Sequence, residues 1–124
     1  LGATCAAIEQ WRNAAPNAWV GEEIRFATLR ERLYYLLEHC DLAIALPGGI
    51  GTLAEVSLLW NLMQIRELPR KPLILVGPDW RETITAFLRA MGEYVRESEQ
   101  HTPIFVETVE EAAAQATGAV LNRR

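Results

Sequence analysis

The amino-acid sequence predicts an α/β fold: a Rossmann-like open parallel sheet with helices on both faces. Three observations point there. Short apolar runs recur along the chain without the polar alternation of a half-solvated strand, so each suits a strand covered on both sides. Patterns with helical period lie between those runs, which is the order of a sheet built through right-handed crossovers. A glycine loop, Pro47-Gly-Gly-Ile-Gly51, joins one apolar run directly to a long apolar segment.

The first expected strand is Leu1–Ala6. The chain enters it with no preceding methionine, and a parallel sheet normally has more sequence before this point. An amino-terminal part is therefore expected to be missing, with one or more strands. Glu9–Phe26 carries Pro16, Trp11 and Trp19 and shows no clear period. Connections of that length are commonly functional, and it is expected to be a packed loop bordering the site. In Thr28–Cys40 the apolar residues Leu29, Leu33, Leu36, Leu37 and Cys40 recur at three and four residues, giving a helix with one core stripe.

Leu42–Leu46 is the second strand, and the glycine loop follows it. The next helix is expected to start near Thr52 and run to Arg66. Its apolar residues go nearly all round (Leu53, Val56, Leu58, Leu59, Trp60, Leu62, Met63, Ile65), so it needs cover on more than one side. The sheet supplies one side and a second subunit is a candidate for the rest. Leu73–Val76 and Ile104–Val106 are further strands, with helices over Trp80–Met91 and Glu107–Thr117. Leu68-Pro-Arg-Lys-Pro72 and Gly77-Pro-Asp-Trp80 are expected to be turns. Residues 1–124 make one nucleotide-binding domain on this expectation.

Composition narrows the function. Half of the 124 residues are apolar and 23% are charged, a globular balance. A net charge of −4 argues against a general nucleic-acid surface. No apolar stretch is long enough to span a bilayer, so no membrane partner is expected and the location is expected to be cytoplasmic. Cys5 and Cys40 lack metal-ligand spacing and suit small buried positions. His39 and His101 stand alone in the sequence, and metal binding is not expected.

The glycine loop is where chemistry is expected. Gly48, Gly49 and Gly51 let main-chain N–H groups approach a ligand with no Cβ in the way. The helix behind them adds unpaired N–H donors and the positive end of its dipole. Gly48, Gly49, Ile50, Gly51 and Thr52 therefore form a candidate phosphate cradle. Glu55 is a carboxylate one turn beyond a place that favours anions. Spacing leaves two readings of it open: a capping box with Thr52, or an acid placed for catalysis. Ligands of parallel α/β folds bind at the carboxyl edge of the sheet, where helices begin. Arg32, early in its own helix, is expected at that edge, with Arg30 and Arg25 as rivals. Arg32 borders the apolar stripe and should be held more firmly, although on helical position alone a solvated helix arginine is the simpler role for it.

Pro47-Gly-Gly-Ile-Gly-Thr52-Leu-Ala-Glu55 matches PGGxGTxxE at every fixed position, between a strand and a helix. In this the chain resembles the LOG ("lonely guy") family of cytokinin riboside 5′-monophosphate phosphoribohydrolases, many once labelled possible lysine decarboxylases. The similarity extends through Arg30-Glu-Arg-Leu33, Cys40-Asp-Leu-Ala-Ile-Ala-Leu46 and Lys71-Pro-Leu-Ile-Leu75. Counting back without gaps from Asp41 puts Arg32 at the family's site arginine. Leu29 and Leu33 stand where the family usually has methionine and lysine. A second glycine-rich loop of the family, on its amino-terminal strand, has no counterpart here.

The resemblance implies hydrolysis of the N-glycosidic bond of a nucleoside 5′-monophosphate, giving a free base and ribose 5-phosphate. It implies no cofactor, and a homodimer or larger homo-oligomer. Glu55 and Arg32 would be catalytic and the glycine loop would hold the 5′-phosphate. The decarboxylase label fits poorly, because such enzymes use a lysine Schiff base to pyridoxal phosphate. The only lysine, Lys71, precedes a strand and so falls away from the carboxyl edge. The competing expectation is a non-catalytic nucleotide or molybdenum-cofactor carrier on the same fold. A redox Rossmann domain ranks lower, since the loop is G-G-x-G and not G-x-G-x-x-G.

Overall fold

Residues 2–5 and 17–122 are described in a computed structural model, in two units: Leu1–Cys40 and Asp41–Arg124. In the first, strands β1 (Gly2–Cys5) and β2 (Glu23–Phe26) pair in parallel, from Gly2 opposite Glu23 to Cys5 opposite Phe26. Strand β2 corrects the expectation of a loop throughout Glu9–Phe26. Glu-Ile-Arg-Phe does alternate, with Glu23 and Arg25 exposed and Ile24 and Phe26 half-buried. Four residues are too few for that period to stand out among the neighbouring charges. Residues 6–16, with Trp11, lie outside the described part. Trp19 is 93% exposed, so it does not pack as expected of a tryptophan bordering a site.

Helix α1 (Leu29–His39) packs on β1 and β2. Thr28 begins it with a true capping box. Its Oγ1 accepts the Glu31 N–H at 3.2 Å, and the Glu31 carboxylate accepts the Thr28 N–H at 3.0 Å. The Phe26 and Tyr35 rings meet at 5.1 Å, and Leu37 and Cys5 are buried beneath.

The second unit holds a three-stranded parallel sheet in the order β3 (Ala43–Ala45), β4 (Leu73–Val76), β5 (Pro103–Val106). Ala43 pairs with Leu73, and Leu73 with Pro103. Central strand β4 is buried at all four residues, which explains why it reads as an unbroken apolar run. Side chains alternate across it. Ile74 and Val76 join Val106 and Ala112 in one core cluster, where α5 (Val109–Leu121) packs. Leu73 and Leu75, at 1% and 0% exposure, are covered on the opposite face. The right-handed crossover rule puts α2 (Ile50–Gln64) and α3 (Pro78–Met91) on that side. Helices thus cover both faces, as expected of a Rossmann-like sheet.

Two helices start at positions other than those expected. Pro78 occupies the first helical position of α3, where its missing N–H costs nothing, so Pro78–Trp80 begin the helix and are not a turn. Helix α5 starts at Val109 behind a Thr108 cap, whose hydroxyl accepts the Glu111 N–H at 3.2 Å. A 3-10 turn (Gly92–Tyr94) and the single-turn helix α4 (Glu97–Gln100) link α3 to β5. Among the described residues no helix is long and apolar enough to cross a membrane.

Candidate functional site

Four residues, Leu46 to Gly49, separate the end of β3 from the start of α2. Helix α2 has Gly49 as its N-cap and begins at Ile50, two residues earlier than the sequence suggested. Its first ladder bond runs from the Leu53 N–H to the Gly49 carbonyl at 3.1 Å. The N–H groups of Ile50, Gly51 and Thr52 therefore lie ahead of the ladder, at the positive end of the dipole. No side chain caps this end. A helix start of this kind is suited to receive an anion.

The three loop glycines are present for different reasons. A Cβ on Gly48 would lie 2.3 Å from Thr52 Oγ1 and 3.0 Å from Thr52 Cβ, so the turn itself requires glycine there. A Cβ on Gly49 or Gly51 would meet nothing within 4 Å. Among the described glycines only Gly77 has a positive φ, so backbone conformation does not require glycine at 49 or 51 either. Folding leaves these two positions free to carry a side chain. An approaching ligand would not.

The register of α2 decides the role of Glu55 within its own helix. With Gly49 as the N-cap, Thr52 is the third helical residue and Glu55 the sixth. A capping box needs the acid at the third position, facing the N-cap N–H. Six residues of 1.5 Å rise put the Glu55 backbone about 9 Å along the axis from the N-cap. The capping-box interpretation of Thr52-x-x-Glu55 is therefore overturned, and that motif occurs instead at Thr28-x-x-Glu31. Glu55 follows Gly51 by four residues and Thr52 by three, so all three share one helix face. Glu55 is half-buried, and the Cα–Cβ bonds of a helix tilt towards its amino terminus, which here is the loop.

Arg32 belongs to the other unit. It is the fourth residue of α1, half-buried, and its Nε donates to the Ala3 carbonyl of β1 at 2.9 Å. Arg30 and Arg25 are exposed. The border of the apolar stripe is what distinguishes Arg32 in the sequence, and burial follows from it.

Two residues to which sequence reasoning gave no role border the loop. Trp80, 6% exposed, donates its indole N–H to the Leu46 carbonyl at 3.0 Å. Gly77 turns β4 into α3 at φ 103°, and a Cβ there would lie 3.4 Å from the Pro47 ring. The only advance signal was the Gly-Pro-Asp-Trp string itself, which pointed to a turn and not to its neighbour across the sheet.

The remaining candidates are occupied structurally. Lys71 is buried, two residues before β4 begins, at the amino end of a strand parallel to β3. The glycine loop leaves from the opposite, carboxyl end. Trp60 is buried and donates to the Glu99 carbonyl at 3.0 Å. The buried Glu99 carboxylate is engaged by Arg70 and Thr102. His39 stacks on Tyr35 at 4.1 Å and its Nδ1 lies 2.9 Å from the Tyr35 carbonyl oxygen. An apolar groove of about 490 Å³ runs between α2 and α3, with Leu53, Val56, Trp60, Ile84, Phe87 and Tyr94 on its walls.

A family model described as "Possible lysine decarboxylase" matches residues 1–116. Cytokinin riboside 5′-monophosphate phosphoribohydrolase LOG5 of Arabidopsis thaliana is 34% identical over 91 residues. That alignment covers 69% of this chain and 38% of the plant protein, so the chain spans well under half the length of this relative.

Proposed function

Because the chain belongs to the possible lysine decarboxylase family, here in its LOG branch, we propose that it hydrolyses the N-glycosidic bond of a nucleoside 5′-monophosphate. Cytokinin riboside monophosphate and AMP-like nucleotides are the expected substrates, with a free base and ribose 5-phosphate as products. The observation that carries this is the pairing, on one helix start, of an uncapped N–H cradle with a carboxylate that does not cap it.

The phosphate rests on the N–H groups of Gly49, Ile50, Gly51 and Thr52 and on the Thr52 hydroxyl, with Gly48 making the turn. As the C1′–N bond lengthens, positive charge develops on the sugar, as in other glycoside cleavages. Glu55 stabilises that charge or takes a proton from the attacking water. The water oxygen bonds to C1′, the bonding pair leaves with the base, and the base takes up a proton. Arg32, anchored on β1, is the second residue that the family pattern assigns to this reaction. Lysine-based pyridoxal chemistry finds no support, since Lys71 is buried at the other end of the sheet.

A homodimer or larger homo-oligomer and a cytoplasmic location belong to this proposal. The α2–α3 groove, with Phe87 and Tyr94 exposed on it, supports the former. Sedimentation as a monomer at micromolar concentration would remove it. The function is tested by incubating the intact protein with a panel of nucleoside monophosphates and the matching nucleosides, reading free base by chromatography. Release from monophosphates and far less from nucleosides is expected. Tight nucleotide binding with no release from any of them would favour the carrier alternative.

A further inference from the structure

We propose that Trp80 is a positioning residue for the phosphate site, acting through the main chain of the glycine loop. This rests on the cradle described above and extends it to a residue that touches no ligand. The backbone N–H groups of the phosphate site have no side-chain rotamer to lock. Their geometry is set by how the loop is held at its two ends.

The exit is fixed locally. Gly48 lies against Thr52, and α2 starts with the Leu53 to Gly49 bond. The entry is not. Strand β3 ends at Ala45, so the Leu46 carbonyl lies just beyond the strand, and the Leu46 side chain is 53% exposed. At that point Trp80 supplies its indole N–H, at 3.0 Å.

The indole is well suited to the task. It is 6% exposed and sits in the first turn of α3, whose start is itself fixed. Pro78 occupies the first helical position, and the Gly77 N–H donates to the Val106 carbonyl at 2.8 Å. Gly77 also leaves the space that the Pro47 ring borders at 3.4 Å. The junction after β4 thus holds the loop after β3 at Leu46 by a hydrogen bond, and Gly77 leaves open the space beside the neighbouring Pro47 ring. Were Trp80 only a core residue, its ring would matter and its N–H would not.

Trp80→Phe separates those roles, because it keeps a buried aromatic ring and removes the donor. Ribose 5-phosphate affinity is measured by calorimetry on the intact protein, alongside thermal unfolding and amide exchange of residues 48–52. The expected result is an affinity about tenfold weaker, equivalent to about 1.4 kcal/mol, with faster exchange in the loop and unchanged exchange in β4. In turnover the same variant should raise KM for a nucleoside monophosphate while leaving kcat within about twofold. Equal affinity and equal loop exchange in wild type and Trp80→Phe would overturn the positioning role while leaving the cradle standing. Failure of the wild-type protein to bind ribose 5-phosphate would remove the cradle, and the positioning role with it.

Discussion

Replacing Gly51 by alanine should make the protein more stable and less able to bind its ligand. Gly51 is the second residue of α2, its φ is not positive, and a Cβ there meets nothing within 4 Å. Under those conditions the substitution acts on the unfolded chain, and Gly→Ala is worth about 0.4–1 kcal/mol of added stability. In a domain of this size that is a rise of a few degrees in Tm. The ligand sees the opposite effect. A phosphate oxygen must come to about 2.9 Å from the donor nitrogens, and the new methyl group occupies part of the space over them. Overpacking of this kind costs about 1–3 kcal/mol, which converts to roughly a 5- to 150-fold loss of affinity. Differential scanning calorimetry and ribose 5-phosphate titration on the same preparations read both quantities. A Gly51→Ala protein with raised Tm and unaltered phosphate affinity would refute the cradle, because the glycine would then have no ligand to make room for.

Gly48→Ala should behave differently, losing stability as well as binding. Its Cβ would collide with the Thr52 hydroxyl and crowd Thr52 Cβ, which cannot rotate away, at a cost of about 1–3 kcal/mol by urea unfolding; a neutral result would mean the loop is looser than drawn. Arg32→Ala should lower kcat/KM for a nucleoside monophosphate by at least about 100-fold, the usual scale for a lost charge-stabilising group. It should also weaken the hold of α1 on β1 by removing the bond to the Ala3 carbonyl. Full turnover by a folded Arg32→Ala protein would free that residue from its assigned part.

How much of this was legible in the sequence depends on how local each feature is. Strand β4 and the glycine loop could be read directly. A fully buried strand shows itself as Leu-Ile-Leu-Val, and three glycines in four residues have few structural uses. Helix α2 starts two residues before the expected position because Ile50 and Gly51 are poor helix formers, yet sit in the first turn, where propensity matters least. That small shift carried chemical weight, since it moved Glu55 out of capping register. Strand β2 escaped notice because it pairs with residues twenty-one positions earlier, from Gly2 to Glu23, and its four residues hold two charges. The roles of Trp80 and Gly77 could not be seen in advance for a related reason. They meet Leu46 and Pro47 only once β3 and β4 lie side by side, and no local pattern encodes a neighbour thirty residues away.

The central claim is that an acid on α2 acts on a sugar carbon whose phosphate is held by the same helix start. Glu55→Gln tests it most directly, because the amide keeps the shape of the side chain and removes its charge and basicity. Base release from a nucleoside monophosphate should fall by about 100- to 10,000-fold, with ribose 5-phosphate affinity and Tm close to those of the wild type. Undiminished base release by Glu55→Gln would contradict the account outright.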